Sequence, residues 1–230
     1  MYFVRFMIMA TAVGCPDNAG CYSSISSERM FVSAWKLPLI LASGSPRRVR
    51  LLAEAGFDAI SCPPVIDDGE YTCGTMDART WVCSLAVLKA QHVRELRQEI
   101  IGTVLAADTV CVVDGEILGQ PTEASDAKQM LLKTNNRSHE VCTGWCLISL
   151  GDGTLLCECD NSVITIGNIS EEEIDSYVAT NKWQGKAGAY NLSERLQAGW
   201  PITCSGDPTS VMGLPMKRVK KILHHCTREH

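Results

Sequence analysis

From Leu37 onward, short apolar runs typical of buried strands alternate with segments whose apolar residues recur at helical spacing. The first such unit is the apolar run Leu37–Ala42, followed by a polar stretch and then by a helical pattern that ends at Gly56. Ser45 suits the N-cap of this helix and Pro46 its first position. The alternation predicts a mixed α/β domain whose loops carry the chemistry.

The same alternation continues along the chain. A helix over about 78–98 precedes a strand over 103–113, which Asp108 and Thr109 interrupt, so Asp108 is expected at the end of a strand. Asp114-Gly115 predicts a hairpin turn. A helix over about 124–133, strands over about 138–150 and 154–166, a helix opened by a capping box at Ser170, and a final helix to about residue 225 complete the pattern.

Composition narrows the class of protein. The 21 Lys and Arg residues against 26 Asp and Glu residues give a formal charge of −5, so a surface that coats nucleic acid is not expected. No apolar run approaches the roughly 20 residues that span a bilayer, so a membrane segment is not expected either. Hydrophobic residues at 46% and charged residues at 20% are ordinary for a globular protein.

The first 36 residues differ in composition from the rest. We assign 1–36 to an N-terminal extension, either disordered or the product of an over-long start assignment, with Met30 as a candidate start. An apolar block that ends at Cys15 leaves a signal segment or a lipid anchor open as the alternative. Residues 37–226 are assigned to a single domain and 227–230 to a tail.

The twelve cysteines form no CxxC pair, and several of them lie in strand-like runs. This arrangement favours buried, reduced thiols over zinc sites or disulfides. Reduced thiols in turn predict a cytoplasmic location.

Arg47 and Arg48 stand in the first turn of the first predicted helix, where the helix dipole favours an anion over two cations. The backbone N–H groups of that turn, the hydroxyls of Ser43 and Ser45, and Gly44 for close approach together suit a phosphate or polyphosphate. The alternative is a pair of solvated arginines neutralised by a nearby carboxylate. We favour the phosphate site.

Three more charged residues have two interpretations each. Asp108 either holds a divalent cation or orients a water, or it caps the backbone or pairs with a lysine. Lys89 lies on the apolar stripe of the long helix and either projects inward to a phosphate or snorkels to solvent. Lys186, in the glycine-rich segment 185–190, either contacts a phosphate or is an exposed loop charge.

Metal ligands are less well defined by the sequence. Asp67, Asp68 and Glu70 form an acidic segment that could supply oxygen ligands, although such loops are more often merely solvated. The histidines have no ligand spacing with one another, so a histidine-metal site has little support.

Several separated motifs, in the same order, closely resemble the Maf family of nucleoside triphosphate pyrophosphatases over about residues 37–223. They are Leu39-Ile-Leu-Ala-Ser-Gly-Ser-Pro-Arg-Arg48, Leu85-Ala86 with Lys89-Ala90, Ala107-Asp108-Thr109, Gly119-Gln-Pro121 with Asp126-Ala127 and Met130-Leu131, Lys186-Ala-Gly-Ala-Tyr190 and Gly213-Leu-Pro215. The resemblance implies an α/β fold similar to the inosine triphosphate pyrophosphatases, with a mixed central sheet, flanking helices and two lobes around a nucleotide cleft. It also implies hydrolysis of a nucleoside triphosphate to a monophosphate and pyrophosphate with a divalent cation, Mg²⁺ or Mn²⁺.

The resemblance assigns roles by position. Asp108 is similar to the family's catalytic acidic residue, and Asp108 and Asp68 are the predicted metal ligands. The residues predicted to bind the triphosphate are Ser43, Ser45, Arg47, Arg48, Lys89 and Lys186. A homodimer is one assembly that membership implies.

Base specificity is left open by the motifs. Arg47 and Thr109 resemble the branch that acts on dTTP and UTP, whereas Ser193 and Glu194 lean toward the branch that acts on 7-methyl-GTP. The chain also departs from the family pattern, because Gln120 replaces the usual Lys and Asp68 the usual Glu. We predict a lean to dTTP and UTP, with a 7-methyl-GTP pyrophosphatase or a catalytically weakened regulator of cell division as alternatives.

Overall fold

The computed structural model describes residues 35–66 and 71–226, and its centre is a seven-stranded mixed sheet. The strands are β1 (Leu39–Leu41), β2 (Ala59–Ser61), β3 (Thr103–Val113), β4 (Glu116–Leu118), β5 (Arg137–Ser149), β6 (Leu155–Ile166) and β7 (Ile202–Ser205). Their order is β2-β1-β3-β5-β6-β7, and β4 pairs with β3. β1 runs parallel to β2 and β3, whereas the other pairs are antiparallel.

Helices pack on both faces of this sheet. They are α1 (Pro46–Glu54), α2 (Ala78–Leu96), α3 (Ala124–Thr134), α4 (Glu171–Ala179), α5 (Leu192–Gln197), α6 (Pro208–Val211) and α7 (Met216–Cys226), with a 3₁₀ turn at Ala187–Ala189. The predicted α/β class with a mixed central sheet is therefore confirmed. Among the helices of the described residues, none has the length and apolar character needed to cross a membrane.

The alternation of side chains along β1 and β3 explains how the two helical layers are held. Ile40, Val104 and Ala106 point to one face, where they pack against α2. Leu39, Leu41, Leu105 and Ala107 point to the other face, where they pack against α1 and α7. Successive residues of a strand face opposite sides, so each helix layer meets its own apolar row.

The expected interruption of β3 is wrong. The strand runs unbroken from Thr103 to Val113, and it pairs with β5 through Asp108↔Gly144 and Thr109↔Thr143. Asp108 therefore lies in the middle of a strand and not at its end. The polar pair does not break the strand because the ladder bonds use backbone groups only, and the side chains find partners on the two faces.

Gly144 on β5 lets α2 approach the sheet closely. A Cβ atom at this position would lie 2.4 Å from the Val82 carbonyl carbon and 2.5 Å from the Cys83 backbone nitrogen. Both contacts are to backbone atoms, which cannot rotate away. The glycine thus seats the helix on the strand that neighbours Asp108.

The predicted boundaries agree with the structure for most elements, and two other expectations differ from it. Ser170 caps α4 by accepting from the Glu173 N–H, whereas the Ser45 hydroxyl makes no capping bond to α1. Trp35 is buried and the Lys36 N–H donates to the Thr103 hydroxyl at 2.9 Å, so these two residues of the predicted extension pack with the domain. Residues 1–34, the acidic segment 67–70 and the tail 227–230 lie outside the described residues.

Candidate active site

A cleft of about 680 Å³ opens between two parts of the chain that are distant in sequence. One wall is the β1–α1 loop with the start of α1, residues 42–48, together with Arg50 and Lys89. The facing wall contains Gln184, Gly185 and Glu194, and Gln120 also lines the space. The predicted residues Ser43, Ser45, Arg47, Arg48 and Lys89 are thus brought to one cavity.

Arg47 connects the two walls. Its Nη2 donates to the Gly185 carbonyl at 2.9 Å, across 138 positions of sequence. Burial lowers the pKa of the Arg47 guanidinium, and the nearby Glu194 carboxylate opposes this effect. A guanidinium that is partly stripped of water and lines a cavity is suited to bind an anion.

Arg48 is held by three groups from different segments. Nε donates to the Gly213 carbonyl at 2.9 Å, Nη1 to the Ser43 hydroxyl at 3.0 Å and Nη2 to the Thr109 hydroxyl at 3.3 Å. Arg48 therefore fixes the β1–α1 loop against β3 and the loop before α7. Its charge lies in the cleft wall, beside the Ser43 hydroxyl.

Lys89 and Asp108 form an ion pair beside the cleft. The Lys89 Nζ lies 2.7 Å from Asp108 Oδ1, and the two side chains are 10% and 14% exposed. Asp108 shares the face of β3 that α2 covers, which is why a lysine on the apolar stripe of α2 reaches it. The interpretation of Lys89 as snorkelling to solvent is therefore wrong. Asp108 pairs with a lysine, as one of its two predicted interpretations has it.

Lys186 is buried and does not extend from the loop into solvent. Its Nζ lies 2.5 Å from Glu194 Oε2, and burial lowers its pKa while Glu194 opposes the effect. The backbone around it turns sharply at Gly188 and Ala189, which have φ of 66° and 67°. The Tyr177 hydroxyl holds this turn by donating to the Ala189 carbonyl at 3.0 Å.

The predicted specificity residues fall into two groups. Arg47 and Glu194 line the cleft. Thr109 lies behind it, where its hydroxyl bonds to Arg48 and lies 2.9 Å from the Thr143 hydroxyl. Ser193 donates to the Asn191 side chain at 2.7 Å at the start of α5, so among the described residues it belongs to a helix cap and not to the cleft wall.

Sequence reasoning missed Arg50 as a cleft residue. Arg50 lies one turn after Arg47, and residues three apart share a helix face, so this spacing was the signal that could have found it. Its exposed side chain forms an ion pair with Glu54 at 3.5 Å. The sequence marks Gln120 only as a departure from a motif, and the structure places it in the lining of the cleft near Gly185.

A complete protein cage for a metal is not formed by the described residues. Within residues 35–66 and 71–226, no group of three or more His, Cys, Asp and Glu side chains is arranged to hold a metal ion. Asp108 lies beside the cationic cleft, whereas the second predicted ligand, Asp68, lies outside the described residues. Mg²⁺ commonly uses one or two carboxylates together with substrate phosphates and water, so a single carboxylate at this position fits such an ion.

Comparisons with known proteins agree on one family. The sequence profile described as "Maf-like protein" matches residues 38–226. A dTTP/UTP pyrophosphatase of Symbiobacterium thermophilum is 38% identical over 185 residues, covering 80% of this chain and 92% of the relative. Proteins of the same name from Rhodopirellula baltica and Bacillus cytotoxicus are 35% and 38% identical, covering 81% and 80% of this chain and 81% and 93% of the relatives.

Solved structures that are similar to this chain include a nucleoside-triphosphatase / dITP/XTP pyrophosphatase from Mycobacterium abscessus, with a TM-score of 0.39 and 15% identity, covering 58% of this chain and 74% of that one.

Proposed function

The chain belongs to the Maf family, and from this premise we propose that it is a nucleoside triphosphate pyrophosphatase that acts on dTTP and UTP. The reaction converts the triphosphate to a monophosphate and pyrophosphate. The observation that carries the proposal is the concentration of cations around one cleft, Arg47, Arg48, Arg50 and Lys89, in a chain whose formal charge is −5. Such a local positive site in an acidic protein is suited to a polyanionic ligand.

The arginine wall binds the phosphates. The start of α1 supplies backbone N–H groups and the positive end of a helix dipole, and Ser43 and Ser45 supply hydroxyl donors. Arg47 and Arg48 are already fixed by bonds to Gly185 and Gly213. Preorganised donors of this kind stabilise charge that develops on phosphoryl oxygens without further reorganisation.

Asp108 is the proposed base. Water attacks the α-phosphorus, its proton passes to the Asp108 carboxylate, and the bond from phosphorus to the α–β bridging oxygen breaks with its electrons going to pyrophosphate. Lys89, 2.7 Å from Asp108, orients the carboxylate. Lys186, held in the facing loop by its ion pair with Glu194, adds positive charge that compensates the leaving group.

A divalent cation, Mg²⁺ or Mn²⁺, is part of the proposal. Asp108 is the described residue that would hold it together with the phosphate oxygens. When bound, the cation supplies charge neutralisation at the phosphoryl oxygens. The cytoplasm is the proposed location, because the described cysteines, nine in number, form no disulfide.

The test is pyrophosphate release by the full chain with Mg²⁺ or Mn²⁺ across dTTP, UTP, CTP, ATP, GTP and 7-methyl-GTP. We expect release from dTTP and UTP. In Asp108→Asn, we expect turnover to fall by at least about two orders of magnitude while binding is retained, because the base is lost and the shape is kept.

Asp114→Asn is the matched control. Asp114 follows the same strand, is exposed and pairs with Arg137, so its amide variant should keep full activity. An active Asp108→Asn protein contradicts the assigned base. Release confined to 7-methyl-GTP would assign the chain to the other branch, and binding without release from any nucleotide would favour a regulator whose catalysis is weakened at Gln120.

A further inference from the structure

A second group of reactive side chains lies outside the cleft, where α2 crosses β5 and β6. It consists of the thiols of Cys83 on α2 and of Cys157 and Cys159 on β6, and we call it the thiol patch. The Cys157 thiol donates to the Cys83 backbone carbonyl at 3.9 Å, and the Cys157 and Cys159 side chains both lie next to the Cys83 thiol. All three residues are half-buried, so small solutes reach them.

Close packing of the backbone creates this patch. Gly144 pairs with Cys159, and Cys146 pairs with Cys157. Because Gly144 has no side chain, the Cys83 backbone lies directly on β5, one strand spacing from β6. The Cys157 sulfur consequently lies 3.9 Å from the Cys83 carbonyl oxygen.

We propose that the thiol patch is an oxidation site, at which a hydroperoxide oxidises Cys83 and a disulfide then forms between Cys83 and Cys157. The oxidant is any hydroperoxide small enough to enter a half-buried site. This inference does not depend on the hydrolytic activity proposed above.

The chemistry proceeds in two balanced steps. The Cys83 sulfur attacks one oxygen of the peroxide, the O–O bond breaks, and the other oxygen leaves as hydroxide or alkoxide, so that Cys83 becomes a sulfenic acid. The Cys157 sulfur then attacks the Cys83 sulfur, the S–O bond breaks, and the oxygen leaves as water with the thiol proton. The two thiols lose two electrons, which the peroxide accepts.

Cys83 is the thiol of the patch that is activated as a nucleophile. The neighbouring Cys157 and Cys159 side chains lower the pKa of Cys83, and the thiolate is the reactive form of cysteine. Burial instead raises the pKa of Cys146, whose thiol donates to the Ala86 carbonyl at 3.2 Å. Cys146 is therefore a neighbour of the patch that stays unreactive.

Cys157 is the better partner for the second step. The Cys159 thiol donates to the Asp160 carbonyl at 3.6 Å and also lies beside Cys142. Cys157 lies against the helix backbone itself. A metal site is not favoured, since no three such side chains among the described residues are arranged to hold an ion.

The experiment treats the reduced full chain with hydrogen peroxide, blocks the remaining thiols with an alkylating agent and maps the linked peptides by mass spectrometry. We expect a Cys83–Cys157 peptide in the wild type that disappears after treatment with dithiothreitol. Cys83→Ser and Cys157→Ser should each abolish it, and Cys146→Ser should retain it.

The wild-type measurement needs no variant to fold. A wild-type chain in which Cys83 remains alkylatable after peroxide treatment overturns the proposal, as does a disulfide confined to other cysteines. Persistence of the linked peptide in Cys157→Ser, through Cys159, would overturn the choice of Cys157.

Discussion

At the scale of single residues, His139 on β5 shows how burial sets a protonation state. The residue is 3% exposed, and its Nε2 lies 2.8 Å from the Tyr190 hydroxyl. Burial raises the pKa of Tyr190 well above 10, so the tyrosine donates and Nε2 accepts. Nδ1 has no hydrogen-bond partner among the described residues, and burial lowers the pKa of His139 to about 4.

This histidine predicts acid sensitivity. As the pH falls from 6.5 toward 4, the unfolded chain takes up a proton at His139 and the folded chain does not, so the free energy of unfolding decreases. Above pH 6.5, His139 is neutral in the folded and the unfolded chain and does not change the free energy of unfolding. By pH 4, protonation of the unfolded chain has lowered the free energy of unfolding by about 3 kcal/mol. Urea unfolding at a series of pH values measures this slope.

His139→Gln isolates the effect, because glutamine does not titrate. The difference in unfolding free energy between wild type and variant should narrow as the pH falls through this window. Parallel pH curves for the two proteins would show that His139 does not carry the effect.

A site residue can be predicted from the sequence when its role follows from residues close to it in the chain. Ser43, Arg47 and Arg48 follow from a helix start that collects cations, which is visible within six residues of sequence. The partners of Lys89 and Lys186 do not follow in this way, because each lysine has two uses that only packing decides. The pairing of Lys89 with Asp108 depends on which face of β3 lies under α2.

At the scale of secondary structure, α2 carries both Lys89 of the candidate active site and Cys83 of the thiol patch. Its place on the sheet depends on Gly144, whose Cα hydrogen faces the Val82 and Cys83 backbone. Helical periodicity predicted this element to within two residues at its C-terminal end. The seat at Gly144 is a contact between distant segments, and no local pattern marks that glycine among the 18 in the chain.

Gly144→Ala should destabilise the protein by about 3 kcal/mol, because the new methyl group meets backbone atoms and the helix has to shift. Gly151→Ala is the matched control, since its Cβ would meet only the Ser149 hydroxyl at 3.9 Å. Urea unfolding compares the two variants. Equal stability of both would show that α2 adjusts to the methyl group without cost.

At the scale of the whole molecule, a chain with a net negative charge places four cationic side chains around one cleft. The walls of this cleft come from residues 42–50 and 184–194. The order of strands and helices was readable from hydrophobic periodicity. The unbroken course of β3 was not, since Asp108 and Thr109 are polar in an apolar run and only the pairing with β5 keeps them in the strand. The assignment of residues 37–226 to one domain and a homodimeric assembly stay predictions.

A non-hydrolysable UTP analogue should stabilise the whole fold, because it joins the two walls. At about 100 times the dissociation constant the gain is about 2.7 kcal/mol, or roughly 5–10 °C in the melting temperature for a chain of this size. Uridine, which has no phosphates, should give a much smaller shift, and added salt should reduce the shift of the analogue. Equal shifts with the analogue and with uridine would argue against phosphate recognition.

The bond from Arg48 to the Gly213 carbonyl joins positions 165 residues apart, so the ribosome synthesises one partner of this bond long before the other. The ribosome releases the arginine loop early and residues 185–213 late, and domains generally fold as units while they emerge. A growing chain therefore exposes one wall of the cleft long before the other exists. Hydrolytic capacity consequently arrives in one step, after residues 184–194 have emerged and closed the cleft.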